Sequence, residues 1–298
     1  MNRWLAGSVL LALVVGLAAP AATQSVLDTI PVGANVHDVA VNAATNKAYA
    51  VGGLGNTLVE IDGLTGAKVT IPLQATSDVS HVEVVVNQRT NMVYVTNVVS
   101  NNVAVINGAT RAVSFIPLGA MTYSIALNVE TNKIFVTHYD AAMVSIIDGA
   151  TRSVATVAVG WGPSSVAVNA KTNRIYVTNE QSNTVSVING VDHSVTHVPV
   201  AAYPTALAID EKGNRIFVAS ILGDAMTIII GSTNATQPVP MPAGSHPNRV
   251  AYNATQKRVY VTFQVGNALA IVNPGNRTFQ TLPTFSYVMD MVVDKFRN

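Results

Sequence analysis

From residue 25 onward, apolar residues gather in short stretches, and each stretch closes on Asn, Asp, Gly or Thr. Val, Ile, Ala, Tyr and Thr fill these stretches, often with period-two alternation, which predicts strands rather than helices. The segment 169–190, NAKTNRIYVTNEQSNTVSVING, shows the unit: an apolar strand ending in Asn169, a polar turn, a strand at 174–179, a second turn and a strand at 184–189. The same pattern returns at Asn42, Asn87, Asn128, Asp210, Asn253 and, in part, Asp294, so successive anchors lie 45, 41, 41, 41, 43 and 41 residues apart. A period near forty with several strands per unit predicts an all-β array of sheets, a β-propeller with one unit per blade.

Each unit reads as four strands. The first occupies 39–42, 84–87, 125–128, 166–169, 207–210 and 250–253, and its terminal Asn or Asp is placed to cap the turn that follows. In the fifth unit that turn is EKGN, and Gly213 is expected to supply a left-handed backbone conformation. The second strand carries one aromatic per unit: Tyr49, Tyr94, Phe135, Tyr176, Phe217 and Tyr260. A fixed aromatic column predicts packing between blades rather than a stack for a ligand. The third strand ends in Ile-Asp-Gly or Ile-Asn-Gly at 61–63, 106–108, 147–149 and 188–190, which is turn chemistry.

The tetrapeptide Tyr-Val-Thr-Asn stands at 94–97 and at 176–179, with near copies at 135–138 and 260–263. With these residues, over about 25–294, the chain resembles the YVTN-repeat, YncE-like propellers of periplasmic, secreted and surface-layer proteins. The resemblance implies a seven-bladed ring and an extracytoplasmic address. It implies no reaction, because propellers carry many unrelated functions.

Composition narrows the chemistry. Seventeen Lys and Arg balance 16 Asp and Glu, so no basic stripe for nucleic acid is expected. The absence of cysteine excludes disulfides, thiolate nucleophiles and cysteine-held metals or clusters. Residues 1–21 form a separate unit, with Arg3 before an apolar run at 5–18 and Ala19-Pro20-Ala21 after it. That order predicts a signal peptide cleaved near Ala21, the alternative being a membrane anchor. The mature region 22–298 is then one propeller, secreted or periplasmic, monomeric and not membrane-spanning.

No nucleophile elbow, metalloprotease helix, phosphate loop or calcium loop is found. His193 and His197 fall in one turn and strand, where a surface role is expected. A sharper pattern lies four residues before each anchor, where the first strand starts: Asp38, Glu83, Ser124, Ser165, Ala206, Arg249 and Asp290. Blades one, two and seven are neighbours in a closed ring, so Asp38, Glu83 and Asp290 are expected to converge at the channel mouth. His37, His81, Tyr123 and Arg249 extend the same rim. Three readings stay open for this cluster: a solvated mouth, a binding site for a protein, peptide or glycan, and a metal-assisted lactonase- or lyase-like site using carboxylates and histidine. The reading carried forward is a non-enzymatic binding scaffold without a cofactor; whether a metal binds is left open.

The ends complete the register. Residues 25–32 match a fourth strand and 288–294 match a first strand, so six complete blades lie between. The seventh blade is expected to be incomplete and shared by the two termini. Its middle strands are missing, which points to C-terminal truncation; the alternative is a true terminus with 25–32 pairing directly beside 288–294.

Overall fold

A computed structural model describes Val32 and residues 36–52, 57–73, 82–98 and 100–283. The segments expected to hold the signal peptide and, except for Val32, the seventh blade lie outside the described residues. So do His81 and Asp290.

Twenty-four strands form six four-stranded antiparallel sheets, each built from consecutive strands in sequence order. The first sheet is β1 (Val36–Asn42), β2 (Lys47–Gly52), β3 (Thr57–Asp62) and β4 (Lys68–Pro72). The second is β5 (Val84–Asn87), β6 (Met92–Asn97), β7 (Asn102–Asn107) and β8 (Val113–Pro117). The third is β9 (Ile125–Asn128), β10 (Lys133–His138), β11 (Met143–Asp148) and β12 (Val154–Ala158). The fourth is β13 (Pro163–Asn169), β14 (Arg174–Asn179), β15 (Thr184–Asn189) and β16 (Val195–Pro199). The fifth is β17 (Pro204–Asp210), β18 (Arg215–Ser220), β19 (Ala225–Ile230) and β20 (Ala235–Pro240). The sixth is β21 (Pro247–Asn253), β22 (Arg258–Phe263), β23 (Ala268–Asn273) and β24 (Thr278–Pro283). Among the described residues the one helical element is a single 3-10 turn at Tyr139–Ala141. The first strands pack in succession from β1 through β5, β9, β13 and β17 to β21, so they line the axis of a β-propeller.

In blades two to five the second and third strands are almost wholly buried because both their faces meet neighbouring blades. The aromatic column does the packing assigned to it. Tyr176 sits in one cluster with Val185 and Val187 of its own blade and Ile216, Val218 and Ile229 of the next. Tyr49, Tyr94, Phe135 and Phe217 join the other consecutive pairs in the same way. The outer faces of the array remain separate: Tyr260, Leu269 and Ile271 on blade six, and Ala50, Val59 and Ile61 on blade one, where Val32 packs.

At the rim where first strands end, the anchor asparagines cap their turns and also bridge blades. Asn87 Oδ1 accepts from the Arg89 and Thr90 amides at 3.0 and 3.3 Å. Its Nδ2 donates to Asn132 Oδ1 of the next blade at 2.7 Å, and Asn42, Asn128 and Asn169 make the matching bonds to Asn91, Asn173 and Asn214. The accepting asparagines have positive φ, from 48° to 53°. One expectation is corrected here. In the fifth blade the left-handed residue is Asn214, φ 49°, and Gly213 is not among the positive-φ residues. The short polar Asn side chain tolerates that backbone while bonding across to its neighbour, so glycine is not required.

Candidate functional site

The opposite rim, where first strands begin, holds the expected cluster. In blades one, four, five and six the pairing of first and second strands slips at this point, between Val36 and Asp38, Pro163 and Ser165, Pro204 and Ala206, and Pro247 and Arg249. Such a bulge re-aims the side chains beside it, and the first strand therefore starts three residues earlier than the sequence indicates. The threonine of the Tyr-Val-Thr-Asn motif steadies this corner. Thr96, Thr137 and Thr178 each accept, through Oγ1, the amide of Glu83, Ser124 and Ser165, at 2.8 to 2.9 Å.

The two acids described here turn sideways to the next blade. Asp38 Oδ1 accepts from the Val39 amide at 2.8 Å and its Oδ2 from the Val84 amide at 2.7 Å. Glu83 Oε2 accepts from the Ile125 amide and the Ser124 hydroxyl, both at 2.9 Å. These carboxyls therefore brace blade one to two and two to three. Glu83 is pushed up to about 7, first by burial and then by the charge of Asp38; the Ile125 amide, the Ser124 hydroxyl and the Arg249 charge oppose the shift. Of the three acids expected to converge, Asp38 and Glu83 lie near enough for the charge of one to act on the other, and Asp290 lies outside the described residues. His37 and Arg249 are exposed at the same rim, and Arg249 Nη1 donates to the Asn248 carbonyl at 3.1 Å.

The mouth continues through Tyr123, a rim residue expected from the sequence, on the loop before β9, and through Tyr139 and Glu180, which the sequence reading missed, on loops between second and third strands. The Tyr123 and Tyr139 rings lie 5.2 Å apart at 33°. Tyr139 Oη donates to Glu180 Oε2 at 2.9 Å, and the Tyr203 and Gln181 side chains approach the same hydroxyl. Burial first, then Tyr203 and Glu180, push the Tyr139 phenol well up. Tyr123 is raised by burial and by Glu180, with Arg249 acting against them. Trp161 stands out from the adjacent loop, fastened by its amide to Ser182 Oγ at 2.8 Å. Tyr139 and Glu180 occupy the position directly after the second strand, which in blades two, five and six holds Val98, Ile221 and Gln264. A column without a shared residue type is free of the blade's own packing demands, and that variability was the available signal.

Among the described residues no three His, Asp or Glu side chains gather as metal ligands would. His193 lies in the turn with φ 60°, and His197 is exposed beside Ser186 Oγ at 3.0 Å, so the two histidines do not share one strand face.

No protein-family profile and no curated protein matches this chain. Solved structures do. A streptogramin B lyase has TM-score 0.70 and 14% identity, over 85% of this chain and 84% of that one. Selenomethionine-substituted virginiamycin B lyase from Staphylococcus aureus has TM-score 0.71 and 16% identity, over 85% and 86%. A catalytically inactive variant of that enzyme with quinupristin has TM-score 0.70 and 15% identity over the same shares. At these identities the likeness establishes the propeller fold.

Proposed function

We propose that the chain is an exported propeller of the YVTN-repeat, YncE-like kind whose channel mouth is a rigid binding surface for a peptide, glycan or protein partner at the cell envelope. The observation that carries this reading is the division of labour at the mouth. Asp38 and Glu83 hold blades together through backbone amides, while Tyr123, Tyr139, Tyr203, Glu180 and Arg249 form a shaped, chemically mixed cup on rigid strand ends. Half-buried aromatics with a few converging polar groups are the usual make-up of a ligand site. The test is binding of envelope glycans and peptides to the purified protein against Tyr139→Ala. Loss of the interactions in the variant supports the mouth; unchanged binding places recognition elsewhere.

A second reading, a lactonase- or lyase-like enzyme, is favoured by Glu83, whose carboxyl titrates near neutrality where a general acid or base is useful, and by the lyase activity of the similar structures. A metal-dependent version needs a donor set. Asp38 and Glu83 direct oxygens to amides, and no third ligand joins them among the described residues. Elemental analysis with and without chelator, beside turnover assays on lactones and streptogramins, separates the readings. Turnover abolished by Glu83→Gln with the fold intact would replace the scaffold by the enzyme.

A further inference from the structure

We infer that the cup on blades three to five is a subsite for an organic ammonium group, a quaternary or primary amine carried by the ligand. The inference rests on the mouth being the binding face and names what that face selects. Three observations support it. Glu180 is only 7% exposed, yet no Lys, Arg or His of the described residues pairs with it. One oxygen takes the Tyr139 hydroxyl; the other accepts no hydrogen bond from the described residues and is not among the sealed, unsatisfied polar atoms, so it meets the open cup. A buried acid without a cation is costly unless something brings the charge.

The second observation is the wall. Tyr123 and Tyr139 are in ring contact and half-buried, and both lie near this acid, Tyr139 by its hydrogen bond and Tyr123 within reach of its charge. Aromatic faces attract ammonium groups, most strongly where water is partly excluded. The third is the surrounding charge. Tyr123 feels Glu180 more than it feels Arg249, and Glu83 adds a smaller negative contribution. Arg249 is exposed and makes no ion pair with either acid, so it leaves the Glu180 side of the cup acidic. An anionic ligand is repelled by Glu180 and a neutral one gains a hydrogen bond at most, whereas an ammonium group gains both the charge of the carboxylate and the rings.

The experiment is titration calorimetry of the full protein with choline and with its neutral isostere 3,3-dimethylbutan-1-ol, at constant ionic strength. Choline is expected to bind about 10-fold or more tighter than the alcohol, the equivalent of one ring-plus-carboxylate preference. Glu180→Gln should weaken choline by about 10-fold and leave the alcohol unchanged. Tyr123→Leu should weaken choline by about 3- to 30-fold. Arg249→Ala should tighten choline by a few-fold through loss of a like charge, a change that a merely structural residue would not produce. Equal binding of choline and alcohol, or choline binding indifferent to Glu180→Gln in a folded variant, overturns the ammonium assignment while leaving the mouth as a binding face. No choline binding also overturns it, and binding of the glycan and peptide panel to the same preparation then decides separately whether the mouth binds at all.

Discussion

Tyr176 offers the sharpest test of how the blades are held. Its ring is fully enclosed between blades four and five, and its hydroxyl is buried without a hydrogen-bond partner. Phe135 and Phe217 fill the same column in blades three and five, equally buried, so the site accepts a ring with no hydroxyl. Burying an unpartnered hydroxyl costs about 1–3 kcal/mol, while removing one oxygen from a packed ring forfeits only a few tenths in contacts. Tyr176→Phe should therefore stabilise the protein by about 1 kcal/mol, with a melting point up by about 2–4 °C. Tyr176→Ala removes the ring itself and should cost about 3–5 kcal/mol. Urea unfolding followed by far-UV circular dichroism, with scanning calorimetry alongside, measures both. Burial also raises the phenol, so it should resist ionisation until alkali unfolds the chain. A Phe variant less stable by more than about 1 kcal/mol would show that the hydroxyl is bonded after all. An Ala variant that loses less than about 1 kcal/mol would show that the column does not join the blades.

Glu83 is raised from the ordinary carboxylate range to about 7, so the folded state holds its proton more tightly than the unfolded state does. Its contribution to stability is then full below the unfolded value and is lost as pH rises through 7, with a slope of up to about 1.4 kcal/mol per pH unit. Urea midpoints from pH 5 to 8 should show that fall, and Glu83→Gln should flatten it; an identical profile in the variant would refute the assignment. Asn91 combines φ 53° with the bridge from Asn42 Nδ2 at 2.9 Å. Asn91→Gly should cost about 1 kcal/mol for the lost bridge, and Asn91→Ala about 2–3 kcal/mol because alanine adds backbone strain; equal costs would contradict the strain argument. Thr178→Val keeps the shape but removes the acceptor for the Ser165 amide and should destabilise by about 1–3 kcal/mol, against no change if water replaces the hydroxyl.

The parts of this fold that were legible in the sequence are those repeated by a physical demand common to every blade. The aromatic column is visible because each blade must fill the same gap against its neighbour, and the anchor Asn because each turn needs the same cap. The threonine of the motif was visible as a residue but not as a function. Its role, accepting the amide where the first strand begins, is a contact between side chain and backbone across the strand pair that a strand pattern of period two cannot reveal. Gly213 misled for a related reason. Glycine is the usual left-handed residue, but here Asn214 takes that conformation and its Oδ1 accepts a hydrogen bond from Asn169 Nδ2 at 3.0 Å. Tyr139 and Glu180 went unread because they are 41 residues apart and meet only where two loops approach.

The mouth also shows why an acidic residue at a propeller's axis does not by itself declare a function. The useful distinction is where the oxygens go. Asp38 has both oxygens on backbone amides, one of them in the next blade, so it joins blade one to blade two. Glu83 places one oxygen across the blade boundary, and its proton affinity is set by burial and by Asp38, so it can brace the ring and still respond to pH. Among the described residues, no backbone amide donates to the Glu180 carboxyl, and its side-chain partner is a phenol, that of Tyr139. Along this series the number of carboxyl bonds that join blades through backbone amides falls to none. On the binding reading proposed above, recognition is therefore assigned to the Glu180 side of the mouth, where the loop residues Tyr139 and Glu180 fall outside the repeat pattern.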